Sequence, residues 1–98
     1  MAYDPGAIDA ALAAAVGDEP GLIAELRVAF HESAERALAQ LEKASDEAEW
    51  RENAWRLKGL AASFGAVRLM ALAADVADQP VGCEQTLRRL RRAVDRLA

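Results

Sequence analysis

The sequence predicts an all-α domain, an up-down antiparallel four-helix bundle with a short additional N-terminal helix. Three observations carry that reading. Apolar residues recur at spacings of three and four along nearly the whole chain. Ala and Leu dominate them, and no stretch alternates with period two. Hydrophobic residues make up 53% of the chain but aromatic residues only 5%, so small aliphatic side chains must fill the core. Ala and Leu are strong helix formers, and small side chains let helices approach closely. At 98 residues the chain is one domain, 1–98. A domain of this size buries only about 60–65% of its unfolded surface, so its packing has to be efficient.

Turn signals divide the chain into five helical stretches. Asp4-Pro5 opens the first, over about 5–16, with Asp as N-cap and Pro at the first helical position. Ile8, Ala11, Leu12, Ala15 and Val16 mark its apolar face, and Gly17 stops it. Asp18-Glu19-Pro20 starts a long amphipathic helix, about 19–43, with Leu22, Ile23, Leu26, Phe30, Ala34, Ala37, Leu38 and Leu41 facing inward. Asp46 and Glu49 have capping-box spacing and open the helix over about 46–63. Trp50, Ala54, Leu57, Ala61 and Phe64 form its stripe. After Gly65 a shorter helix, about 66–78, turns Leu69, Leu72, Ala73 and Val76 inward, and Gln79-Pro80-Val81-Gly82 ends it. The last, about 82–97, carries Cys83, Leu87, Leu90, Val94 and Leu97 on one side. Short connections favour antiparallel neighbours.

The outward face of the 46–63 helix departs from an ordinary solvated surface. With about 100° per residue and Trp50 at zero, the stripe lies within about 40° of Trp50, whereas Trp55 points about 140° away. Ala48, Arg51, Gly59 and Ala62 surround Trp55, and Lys58 stands on the shoulder. Exposed helix positions usually carry long polar side chains, and mid-helix Gly costs about 1 kcal/mol relative to Ala. An exposed aromatic ringed by small residues marks a binding surface. The plainer reading packs Trp55 against a neighbouring helix or a second copy of the chain.

The run Ala54-Trp55-Arg56-Leu57-Lys58-Gly59, followed by Ser63-Phe64-Gly65-Ala66 and Leu69, resembles the signature helix of histidine-containing phosphotransfer (HPt) domains. Gly17-Asp18 before a helix bearing Leu22, Leu26 and Phe30 is similar to the family's preceding helix. The resemblance implies a phosphorelay module of a bacterial-type two-component system. In that family an exposed imidazole takes a phosphoryl group from a receiver aspartate and passes it on. It places Lys58 where a lysine stabilises phosphoryl charge, Gly59 where the partner needs clearance, and Gly65 at the turn into the next helix. Trp55 stands where the phospho-accepting histidine is expected. Indole nitrogen is a donor only, so Trp55 cannot serve as that nucleophile.

The expectation is therefore a binding module without catalytic residues, not an enzyme. It would dock a response-regulator receiver domain and/or a histidine kinase through Trp55, Gly59 and Ala62, with Arg51 and Lys58 at the edge. The alternatives are a helical adaptor or homodimer with Trp55 in the interface, or phosphotransfer through another residue such as His31, which the wheel puts at the edge of its helix's apolar arc.

Other functions find little support. One His and one Cys make no metal site without carboxylates, no ligand spacing suggests one, and no cofactor is implied. No Ser-His-Asp set or phosphate-cradling glycine loop is present. Cys83 is the only cysteine, which excludes an intrachain disulfide and suits a reducing compartment. No apolar run reaches the ~20 residues of a membrane span, and the N-terminus does not resemble a signal peptide, so the expected location is the cytoplasm, away from membranes. Residues 1–49 carry eleven acids and three bases, residues 50–98 five acids and nine bases. That asymmetry marks either a binding face or oppositely charged helices packed together, and the second is favoured. Arg88, Arg89, Arg91, Arg92 and Arg96 make the last helix basic, but a net charge of -4 and no interleaved aromatics argue against a nucleic-acid partner. Asp75, Asp78 and Glu84 read as helix-end charges.

Overall fold

The computed structural model describes residues 19–97, which form helices and connecting turns with no strand among them. The helix expected over 5–16 lies outside the described residues. Four helices follow in order: α1 (Pro20–Lys43), α2 (Glu47–Ser63), α3 (Val67–Ala77) and α4 (Glu84–Asp95). Each packs on its neighbour in sequence, and α1 also meets α4, closing an up-down bundle. None of these helices is long and apolar enough to cross a membrane.

Local chemistry fixes both ends of α2. The Asp46 carboxylate accepts the Glu49 N–H at 2.8 Å, and Glu49 Oε2 accepts the Ser45 N–H at 3.1 Å. Donors otherwise orphaned in the first turn are thus satisfied reciprocally, with Glu49 taking the amide just before the N-cap. At the other end the Ala66 N–H donates to Ala61 O at 2.9 Å and the Gly65 N–H to Ala62 O at 3.2 Å. This closure needs a left-handed residue, and Gly65 supplies it at φ 70. The chain reverses directly into α3.

Trp50, Phe30, Leu38, Leu41, Leu57, Leu90, Val76 and Val94 are the largest fully buried side chains. Alanines fill the spaces between helices, with Ala34, Ala54, Ala61 and Ala73 wholly enclosed. Phe30 of α1 stacks on Phe64 at the end of α2, ring centroids 4.5 Å apart. Trp50 Nε1 donates to Val76 O at 2.8 Å inside the core. Val76 lies in the last turn of α3, where carbonyls lack intrahelical partners, so the bond also caps that helix. Because Trp50 is near the start of α2 and Val76 near the end of α3, the two helices run antiparallel.

The inward face expected along all of α1 begins later than its periodicity suggests. Leu22 is 38% exposed, Ile23 and Leu26 are only partly buried, and the enclosed core starts at Phe30. At about 1.5 Å per residue, the 24 residues of α1 outrun the 17 of α2. Phe30 already sits level with the end of α2, so the preceding turns of α1 stand beyond it.

Charge pairs the first and last helices. Arg91 of α4 donates to Glu35 Oε2 at 2.7 Å and to Glu42 Oε1 at 3.2 Å, both on α1. The hydrogen bond that Arg91 donates to Glu35 raises the Arg91 pKa above its ordinary value, and partial burial opposes the rise. Oppositely charged helices do lie side by side, as favoured above. The pair is partly exposed and contributes about 1 kcal/mol or less. At the start of α4 the Thr86 hydroxyl donates to Cys83 Sγ at 3.1 Å, which lowers the thiol pKa together with the Thr86 backbone amide.

Replacing Trp50 with Phe removes the buried donor while keeping an aromatic ring. Urea unfolding of Trp50→Phe is expected to show a loss of about 1–3 kcal/mol, with a lower midpoint and an unchanged slope. An unchanged midpoint would mean that the bond to Val76 contributes nothing net.

Candidate functional site

The burial of Trp50, Ala54, Leu57 and Ala61 fixes the rotation of α2. Everything on the opposite side of that helix is thereby turned outward. Trp55 is 50% exposed, an unusual state for so large an apolar side chain. Ala48, Arg51, Gly59 and Ala62 are exposed with it, and Lys58 is half-buried.

The structure joins two of these residues directly. Lys58 Nζ lies 4.3 Å from the centroid of the Trp55 ring, a cation–π contact. Lys58 is three residues on from Trp55, the spacing at which side chains on a helix face meet. The ammonium covers part of one ring face and restrains the indole on the surface. Spacing alone allowed the contact but could not select it, because the Lys58 rotamer decides.

Arg51 is placed on the same side but is not drawn to Trp55. Its guanidinium lies 3.6 Å from Glu47 one turn back, and Arg56 makes the matching exposed pair with Glu52 at 3.6 Å. Such pairs are weak in water and leave Arg51 available to a better partner. Gly59 faces open space, since a Cβ built there would meet nothing within 4 Å. The chain's own packing therefore does not require glycine at this position. The Ser63 hydroxyl donates back to Gly59 O at 3.0 Å, so a polar group borders the small-residue strip.

His31 lies elsewhere, on α1. Its Nε2 is 3.5 Å from Glu35 Oε1, shielded from solvent and without a hydrogen bond. A nitrogen so enclosed lacks the reach that in-line phosphoryl transfer between proteins demands. Among the described residues no group of three or more His, Cys, Asp or Glu side chains could hold a metal ion.

The described residues form a helical bundle with an exposed aromatic side chain on the outer side of one helix. The sequence model of the Hpt domain matches residues 25–98, and the chain belongs to that family. Hpt domains are phosphotransfer carriers, not classical enzymes, and they work with receiver domains and histidine kinases in two-component signalling. No curated protein and no solved structure matches the chain.

The two glycines of this region have opposite requirements. Gly59→Ala is expected to raise stability by about 0.5–1 kcal/mol, since a helix-interior glycine is replaced without a clash. Gly65→Ala is expected to lower it by about 1 kcal/mol or more, since φ is positive there. Paired denaturation curves check this, and equal shifts of one sign would contradict it.

The Lys58 contact is tested separately. Acrylamide quenching of tryptophan emission is expected to increase in Lys58→Ala, because Trp50 is buried and Trp55 loses a contact of about 0.5–1 kcal/mol. Quenching identical to the wild type would show that Lys58 does not cover the ring.

Proposed function

We propose that the chain is an Hpt-type signalling module that docks a receiver or kinase domain on the outward face of α2 and does not carry phosphate at Trp55. The observation that carries this reading is Trp55 itself, half-exposed on the signature helix where the family resemblance puts the phospho-accepting histidine. Its indole has no available lone pair, so the position cannot form the phosphoramidate bond that an imidazole forms. The same ring suits recognition, because large aromatic anchors surrounded by small residues dominate protein interfaces.

The surface consists of Trp55, Gly59 and Ala62, edged by Arg51 and Lys58. Gly59 and Ala62 leave room for a partner to approach the helix closely. Lys58, held against the ring, presets the anchor and reduces the side-chain entropy lost on docking. Arg51 and Lys58 supply positive charge toward the acidic pocket of a receiver domain. Such a module acts by occupying the partner, in competition with phosphate-carrying Hpt proteins. A cytoplasmic location follows from the same reading, since receivers and kinase catalytic domains work there.

The test compares wild type, Trp55→His and Trp55→Ala against a phosphorylated receiver domain. No phosphoryl transfer to the wild type is expected, while Trp55→His gains an acid-labile label. Wild type and Trp55→His bind the receiver, and Trp55→Ala binds about 30-fold or more weakly, as for an interface anchor. Labelling of the wild type would overturn the reading, and a His31→Ala control would then show whether His31 is the acceptor.

A further inference from the structure

A cleft of about 150 Å³ between α3 and α4 is lined by Arg68, Leu72, Arg89, Arg92, Ala93 and Arg96. Two helices thus bring four arginines to one small space. Arg89 has a carboxylate near it, Asp75 at 3.9 Å. The guanidinium groups of Arg68, Arg92 and Arg96 have no ion pair or hydrogen bond among the described residues.

Elsewhere the structure provides for its arginines. Arg51, Arg56 and Arg88 each have a carboxylate four residues earlier on the same helix, and Arg91 has Glu35, Glu42 and Asp95. The cleft residues break that pattern. Four residues before Arg92 stands Arg88, and four before Arg96 stands Arg92, so like charges repeat at the spacing where they repel.

Helix-dipole placement explains part of this arrangement but not the whole. Cations are favoured near the C-terminus of a helix, where Arg92 and Arg96 lie. Arg68 is the second residue of α3, at an N-terminus, where a cation is disfavoured and an anion favoured. Uncompensated repulsion on one wall and a misplaced cation on the other share one remedy, an anion between them.

We propose that this cleft binds a phosphate group of a small multiply charged anion, of the diphosphate class. Planar guanidinium forks match phosphate oxygens two at a time, which suits arginine where lysine would give only a point charge. A volume of about 150 Å³ is enough to admit a phosphate group. No residue of α2 lines the cleft, so it is separate from the Trp55 face and does not depend on the docking reading.

Inorganic pyrophosphate at low ionic strength is the probe, with binding followed by calorimetry and by thermal unfolding. Wild type is expected to bind one equivalent saturably and to unfold at a higher temperature with pyrophosphate than without. Arg68→Gln and Arg96→Gln each weaken binding by about tenfold, as for a lost hydrogen bond to a charged group. Arg51→Gln, Arg56→Gln and Trp55→Ala leave it unchanged. A phosphoseryl peptide is titrated in parallel and is expected to bind more weakly than pyrophosphate; tighter binding of the peptide would overturn the assignment to a small anion. A response that does not saturate, or one weakened equally by the α2 variants, would reduce the cleft to general charge screening and overturn the proposal.

Discussion

The hydrogen bond from Trp50 to the Val76 carbonyl governs how the rest of the bundle is presented. It is enclosed, 2.8 Å long, and ties the first turn of α2 to the last turn of α3. A buried indole N–H without an acceptor would lose about 1–3 kcal/mol, so rotations of α2 that misplace Trp50 are disfavoured. Once Trp50 is set, helical geometry leaves no freedom for Trp55, which must point to solvent about 140° away. One tryptophan anchors the helix and the other is displayed by it. Burial of Ala54, Leu57 and Ala61 reinforces the same rotation, and the caps at Asp46 and Gly65 fix where the helix begins and ends.

Electrostatics plays a smaller and different part. The partly exposed pairs of Arg91 contribute little beside the burial of Leu90, Val94 and Leu97, at about 25 cal/mol per Å² of apolar surface. Their effect is to sort the arginines of α4. Arg91 is turned toward the carboxylates of α1, while Arg92 and Arg96 are turned toward α3 and Arg68. The acidic first half and basic second half of the sequence are therefore not one field facing one partner. Part of the charge is consumed between α1 and α4, and part remains concentrated in a cleft.

Much of this was legible in the sequence, and the exceptions have physical reasons. Periodicity identified the stripe of α2 because Trp50, Ala54, Leu57 and Ala61 repeat on one face, and the Asp46–Glu49 spacing announced the cap. Gly65 was legible as a break because only glycine closes a helix in that way at no steric cost. The partner of Trp50 Nε1 was not legible, since Val76 is 26 residues away and contributes a carbonyl, which has no sequence signature. Leu22 has a core-facing position but projects past the end of α2, because periodicity reports direction and not whether a neighbour reaches that far. Thr86 is buried although polar, its hydroxyl bonded to Cys83. For the candidate face, exposure was legible from the wheel, but the seating of Lys58 on Trp55 depends on rotamers that spacing does not determine.

On the proposed reading, that contact changes the part the lysine plays. A lysine beside an imidazole can turn its ammonium to phosphoryl oxygens, where a full charge awaits it. Beside Trp55 the ammonium instead meets the aromatic quadrupole, a weaker partner. On that reading Lys58 restrains the indole rather than a phosphoryl group. A restrained ring has less side-chain entropy to lose on docking. In the proposed function, such a face does not depend on phosphate. On the proposed reading, its occupancy of a partner is then set by concentration and by the partner's own state.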